Sequence, residues 1–332
     1  MPSSASPTRV GVLAYRGCLG TEIFGIVDLL LFANAIAAAT EGAREDLFRV
    51  TVAARRASDV VAAGGVALRA ARWHKRFDIL IVPGFELRSP RHVGQALGQW
   101  HPEIEYIASA AAASIPVASV CTGAFLLGEA GLLDGRNATT SWLFAGQLQR
   151  RYGLATVNAD LMIASDGPVT TTAAFSAVHD LALRIIQQRA GDDLARHVAR
   201  LSLVADNRNS QAPYVDDALL WPGPGTFARP VRRWLSERLA QPYDLAGLAR
   251  AFHVSTRTML RRFGDETGQS PLDFLRQARV DTAKRLLESP DHTVASAMRE
   301  VGYTDPASFR RLFTKRAGMT PAAYRRQFRI RD

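Results

Sequence analysis

Residues 245–274 read LAGLARAFHVSTRTMLRRFGDETGQSPLDF, and residues 294–324 read VASAMREVGYTDPASFRRLFTKRAGMTPAAY. The second stretch repeats the first. Leu245 aligns with Val294 at an offset of 49, whereas Phe263 and Phe313, Gly268 and Gly318, and Pro271 and Pro321 align at 50. One residue has therefore entered the second copy within its turn. Each copy holds a short helical pattern, a tight turn, a second helix ending in an aromatic, and a Gly-x-Ser/Thr-Pro stop. That layout is a helix-turn-helix in duplicate.

In the first copy Met259 and Phe263 share the inward face, leaving Thr256, Arg257, Leu260 and Arg261 outward. In the second, Phe309, Leu312 and Phe313 point inward, and Ala307, Arg310, Arg311 and Thr314 outward. Asp244 and Asp305 are the expected N-caps, with Pro306 at the first helical position. Arginine is the natural bidentate partner of guanine in the major groove. These eight outward residues are the candidate contacts to double-stranded DNA. Between the copies, residues 272–288 are apolar at Phe274, Leu275, Ala278, Ala283, Leu286 and Leu287. As a helix they span about 25 Å, which can set two readers about one DNA turn apart.

Charge agrees with a polyanionic partner. Residues 229–332 carry 21 Lys+Arg and 11 Asp+Glu, a net of +10, while the remaining 20 basic and 20 acidic residues of the 332 cancel. Two cysteines, Cys18 and Cys121, are too few for a disulfide framework and suit a reducing cytoplasm. The first eight residues lack the basic and apolar regions of a signal peptide. The apolar run 23–39 is broken by Asp28 and Asn34 and reads as too short to span a bilayer. A cytoplasmic chain without a membrane partner is expected.

Residues 9–205 read differently. Strand-like runs at 9–15, 48–54, 77–83, 116–121 and 161–164 alternate with helical patterns at 21–39, 93–113, 141–152 and 174–188. Near-continuous apolar strands in this order predict a mostly parallel sheet covered on both faces. Ligands in such sheets sit at the carboxyl ends of strands, here Gly84, Phe85 and Glu86, and Cys121, Thr122 and Gly123. Cys121 turns directly from strand into helix, with Gly123 easing the bend. A thiol exposed on such an elbow would have its pKa lowered by the helix N-terminus; the bland alternative is a small buried residue that happens to be cysteine. The turn-rich stretch 206–228 reads as an interdomain linker, part of which docks through Leu219, Leu220 and Trp221. Pro230 then opens a helix carrying Val231, Trp234, Leu235 and Leu239 on one face.

The stretch VASVCTGAFLLGEAGLLDGRNATTSW (117–142) resembles the elbow region of the ThiJ/PfpI class, whose fold is the amidotransferase-like, flavodoxin-type α/β sandwich. It resembles more specifically the branch fused to AraC/XylS-type DNA-binding domains, the GlxA-like transcriptional regulators. GYTDPASFRRLFTKRAGMTPAAYRRQF (302–328) is similar to the closing motif of the AraC/XylS domain. The resemblance implies a sensing domain over 9–205 and an all-α DNA-binding domain with two helix-turn-helix motifs over 229–332. It places Cys121 on the elbow cysteine, Glu22 near the acidic position after the first strand, and Gly84 on a loop whose backbone faces a bound carbonyl or carboxylate. One departure matters: where family members commonly read Thr-Thr-His-Trp, this chain has Thr139, Thr140, Ser141 and Trp142. No histidine partners Cys121 there; His179 on the late helix is a candidate substitute base, and the favoured reading of it is a helix-face histidine with no such role. His74, His92, His101 and His197 show no metal-ligand spacing, and no cofactor is expected.

These readings favour a sequence-specific transcriptional regulator, an activator that binds a small-molecule effector, forms a homodimer and has RNA polymerase as a further partner. The alternative is a cysteine-dependent hydrolase, hydratase or glyoxalase-like enzyme carrying a DNA-binding domain.

Overall fold

The structure, a computed structural model, describes residues 6–41, 45–74, 76–87, 93–205, 208–216 and 227–329. His92, Leu219, Leu220 and Trp221 lie outside the described residues. The chain divides into two compact units, Met1–Gln211 and Ala212–Asp332.

In the first unit the strands are β1 (Thr8–Leu13), β2 (Phe48–Ala54), β3 (Ser58–Val61), β4 (Ala67–Arg72), β5 (Ile79–Val82), β6 (Val117–Ser119), β7 (Asn137–Ala138), β8 (Thr156–Val157), β9 (Ile163–Asp166) and β10 (Val169–Thr172). Eight of them form one sheet in the order β3-β4-β2-β1-β5-β6-β10-β9, with β7 and β8 paired separately. All neighbours in the sheet run parallel except the edge strands β3 and β9. The helices are α1 (Gly20–Glu41), α2 (Val93–Leu97), α3 (His101–Ala112), α4 (Gly123–Glu129), α5 (Trp142–Arg151) and α6 (Ala177–Leu201). Because Val10, Val12, Leu80, Ile81, Val82, Val117 and Ala118 are all buried, the central strands are continuous apolar runs, as a sheet covered on both faces requires.

From β1 the chain moves outward through β2 and β4, then returns to β5 and continues the other way through β6. The carboxyl ends of β1, β5 and β6 therefore meet at a topological switch point, where open α/β sheets hold ligands.

Several elements differ from the sequence expectation. The β3–β4 hairpin adds two strands to those expected, β3 being a short, exposed edge strand. The strand expected at 161–164 runs instead over Ile163–Asp166 and pairs with β10 around Gly167, whose φ is +59°. The helix expected over 93–113 is broken by a 3-10 turn at Gly98–Trp100 and restarts with Pro102 in its first turn. The last helix extends to Leu201, with a kink at Gly191. The run judged too short for a membrane belongs to a 22-residue helix, and Gly20–Thr40 is the one helix among the described residues long and apolar enough to cross one. Ile23, Ile26, Leu30, Ala33 and Ala37 of α1 are buried in the core of the unit.

The second unit holds α7 (Ala228–Ser236), α8 (Leu245–Ala251), α9 (Thr256–Thr267), α10 (Pro271–Glu288), α11 (Val294–Glu300), α12 (Pro306–Ala317) and α13 (Pro321–Phe328). The offset is 49 between the starts of α8 and α11 and 50 between those of α9 and α12, so the extra residue does lie in the turn. Helix starts are set by side-chain caps: Ser255, Ser270, Thr293, Asp305 and Thr320 each accept a backbone N–H from their first turn. Asp244 makes no such bond and faces Arg250 at 3.7 Å instead. Gly268 and Gly318, with φ +71° and +68°, close α9 and α12 in left-handed backbone. α7 stops at Ser236, before Leu239, while Val231 and Leu235 are buried as expected. α10 supplies two cores: Phe274 and Leu275 pack with Met259 and Phe263, and Val280, Ala283 and Leu287 with Phe309 and Phe313.

Candidate effector cluster and nucleic-acid interface

The switch point brings Glu22, Gly84, Phe85, Cys121, Thr122 and Gly123 together. Cys121 follows β6 with φ +51°, the strained left-handed backbone of an elbow. Its N–H donates to Ala173 O at 3.0 Å, and its carbonyl accepts Thr140 Oγ1 at 2.6 Å. The side chain, however, is only 7% exposed. Burial pushes the thiol up to about 12, with the Glu22 charge adding to the rise and the Phe175 and Thr122 N–H groups opposing it. The expected depression by a helix N-terminus is thus overturned: α4 is seven residues long, and desolvation outweighs its dipole. His179 lies against α1, where a Cβ on Gly25 would be 3.3 Å from its Nε2.

Glu22, in the first turn of α1, is fully buried. Gly84 N–H donates to its Oε2 at 2.5 Å, while Oε1 has no hydrogen-bond partner among the described residues. Burial raises the carboxyl to about 8, only partly offset by the Gly84 N–H. At neutral pH Glu22 is therefore an uncharged acid, able to donate a hydrogen bond. Phe85 N–H donates to Thr122 Oγ1 at 2.8 Å, and that hydroxyl donates to Phe85 O at 3.0 Å. The backbone amides of Gly84 and Phe85 are therefore satisfied within the cluster.

The two glycines are required by close approach. A Cβ on Gly84 would meet Thr122 Oγ1 at 2.7 Å, and one on Gly123 would meet Val82 O at 2.5 Å. Gly123 has ordinary backbone, so it admits α4 against β5 and does not ease the bend. Sequence reasoning missed Thr140 and Gln211, both buried beside the elbow. Thr140 was visible only as the neighbour of the departing Ser141; Gln211 stood in a stretch read as linker.

In the second unit Thr256, Arg257, Leu260 and Arg261 of α9 are exposed, as are Ala307, Arg310 and Arg311 of α12. Arg261 lies 3.4 Å from Asp265, and Arg311 donates to Ser308 Oγ at 3.0 Å. Thr314 departs from the expectation: it is half-buried, and its hydroxyl oxygen is enclosed in the unit. Among the described residues no group of three His, Cys, Asp or Glu side chains could hold a metal ion.

Residues 34–188 match the DJ-1/PfpI family, and residues 248–327 match a helix-turn-helix domain. The chain is 29% identical over 287 residues to the HTH-type transcriptional regulator CdhR of Pseudomonas aeruginosa, covering 83% of this chain and 81% of that protein. It is 30% identical over 217 residues to the HTH-type transcriptional regulator GlxA of Rhizobium meliloti, covering 64% and 66%. The chain thus joins a DJ-1/PfpI domain to a helix-turn-helix domain, as its regulator relatives do. A crystal structure of an AraC family transcriptional regulator from Pseudomonas putida superposes with a TM-score of 0.49 at 23% identity, covering 59% of this chain and 100% of that one. The match to the DJ-1/PfpI model begins after Glu22.

Proposed function

We propose that the chain reads double-stranded DNA through the major groove with α9 and α12, and that a small molecule bound at the Glu22–Cys121 cluster controls the reading. The observation that carries this is the pair of capped helices, each presenting two exposed arginines above a separate core. α10, at 18 residues and about 27 Å, is long enough to separate them by most of a DNA turn. A buried neutral acid with an open oxygen beside a neutral thiol suits an uncharged carbonyl or hydroxyl compound better than an anion. We read the protein as an activator that works as a homodimer with RNA polymerase, in the cytoplasm where its DNA lies. Selection of the full chain against a random double-stranded pool tests the reading. Enrichment of two short boxes about one helical turn apart supports it; equal retention of all sequences contradicts it.

The strained backbone at Cys121 favours a second reading, cysteine-dependent catalysis. A thiol raised to about 12 and lacking a histidine partner weighs against it, because the thiolate is the nucleophile.

A further inference from the structure

Residues 208–216 join the two units and are held on both. On the first unit Arg208 pairs with Asp180 and donates to Ser176 Oγ and O at 3.0 Å each. Ser176 follows Phe175, whose N–H faces the Cys121 thiol. Ser210 bridges Leu161. Gln211, 2% exposed, uses its whole amide: Oε1 accepts Trp142 N–H at 3.0 Å, and Nε2 donates to the carbonyls of Thr140 at 2.8 Å and of Ala159 and Leu161 at 3.0 Å. Thr140 in turn donates to Cys121 O at 2.6 Å. A hydrogen-bonded route through Thr140 and Gln211 therefore leads from the elbow to this segment.

On the second unit the next residues are gripped by Lys284 of α10, whose Nζ donates to Ala212 O and Val215 O at 2.9 Å each. Asp216 faces Arg285 at 3.7 Å, and Tyr214 packs edge-on to Phe328. Lys284 is 4% exposed and belongs to a buried polar stripe. It lies 3.9 Å from Asp281, which accepts Gln277 Nε2 at 3.0 Å. Arg316 of α12 donates to Gln277 Oε1 at 3.2 Å and to Asp273 Oδ1 at 3.1 Å. A buried ammonium must keep its acceptors, so the carbonyls of Ala212 and Val215 are tied to the stripe that reaches the second reader.

We propose that residues 208–216 are a coupling strap. A change at the Glu22–Cys121 cluster alters the hold on Arg208 and Gln211, and reaches α12 through Lys284, Asp281, Gln277 and Arg316. The strap rests on the reading of that cluster as the effector site, and it gives the cluster a route to the DNA. Its last anchor on the first unit, Gln211, and its first on the second, Ala212, are consecutive in the chain.

The test is hydrogen exchange on the full chain, in Thr140→Val, which removes one hydroxyl at nearly constant shape, and in Lys284→Met, which removes the cation and keeps the stem. The Trp142 and Gln211 amides report the hold on the first unit; the Val215 amide and those of α12 report the second. Thr140→Val is expected to speed exchange at Val215 and in α12 by about threefold or more, and Lys284→Met to do the same at Trp142 and Gln211. Changes confined in both variants to the unit carrying the substitution, at unfolding midpoints matching the parent, would overturn the strap. The regulator reading stands or falls separately, because DNA selection by the unsubstituted chain involves neither variant.

Discussion

His253 and Gly302 hold the same place in the turns of the two readers, and both adopt left-handed backbone, with φ +53° and +82°. The copies solve one geometric demand with different residues. A Cβ at Gly302 would lie 2.5 Å from Ala240 O, so glycine is obligatory there, whereas exposed His253 meets the demand at the cost of strain. His253→Gly is expected to stabilise the second unit by about 1 kcal/mol, and Gly302→Ala to destabilise it by about 1–3 kcal/mol. Urea unfolding of the two variants checks both signs.

Glu22 makes stability depend on pH in an unusual direction. Its carboxyl titrates near 8 in the folded chain against an ordinary 4.5. Between those values the folded state holds a proton that the unfolded state has lost, so stability falls as pH rises, by up to about 1.4 kcal/mol per pH unit. Above the folded value both states are ionised and this dependence ends. Glu22→Gln should flatten the curve and gain on the parent protein at the alkaline end. Parallel curves for the two proteins, from denaturant midpoints across that window, would show that Glu22 is ionised when folded.

The Cys121 thiol should label slowly. In native protein with Cys18 replaced by serine, the rate of alkylation is expected to rise with pH without levelling off near the free-thiol value of about 8.5. A plateau at or below that value would mean a stabilised thiolate and would restore the enzyme reading.

Arg261→Ala and Arg311→Ala should each weaken binding to a selected DNA site by about 1–3 kcal/mol. Binding to random duplex should fall much less, in fluorescence titrations at matched salt. Equal losses on both would assign these residues to phosphates.

The readers were legible because their information is local. Met259, Phe263, Phe309 and Phe313 mark the inward faces by helical spacing, and Gly268 and Gly318 mark the stops. Cys121 and Gly84 were legible as ends of strands and Glu22 only through the resemblance; the sign of the thiol shift was not legible, since it depends on burial by residues distant in sequence. Lys284, Gln277 and Asp281 carry no signal in the sequence, because a lysine on a helix is ordinarily exposed. Only tertiary contact shows them buried. Thr314 was misplaced for the complementary reason: it borders the outward arc of α12 and turns into the unit.

The central claim is that two arginine-bearing helices read specific DNA. A genome-wide map of DNA crosslinked to this protein in its own cells tests it most directly. The account predicts a few sharp peaks sharing two short boxes about one helical turn apart, lost when Arg261 and Arg311 are both replaced by alanine. Broad, featureless enrichment that survives the double replacement would contradict it.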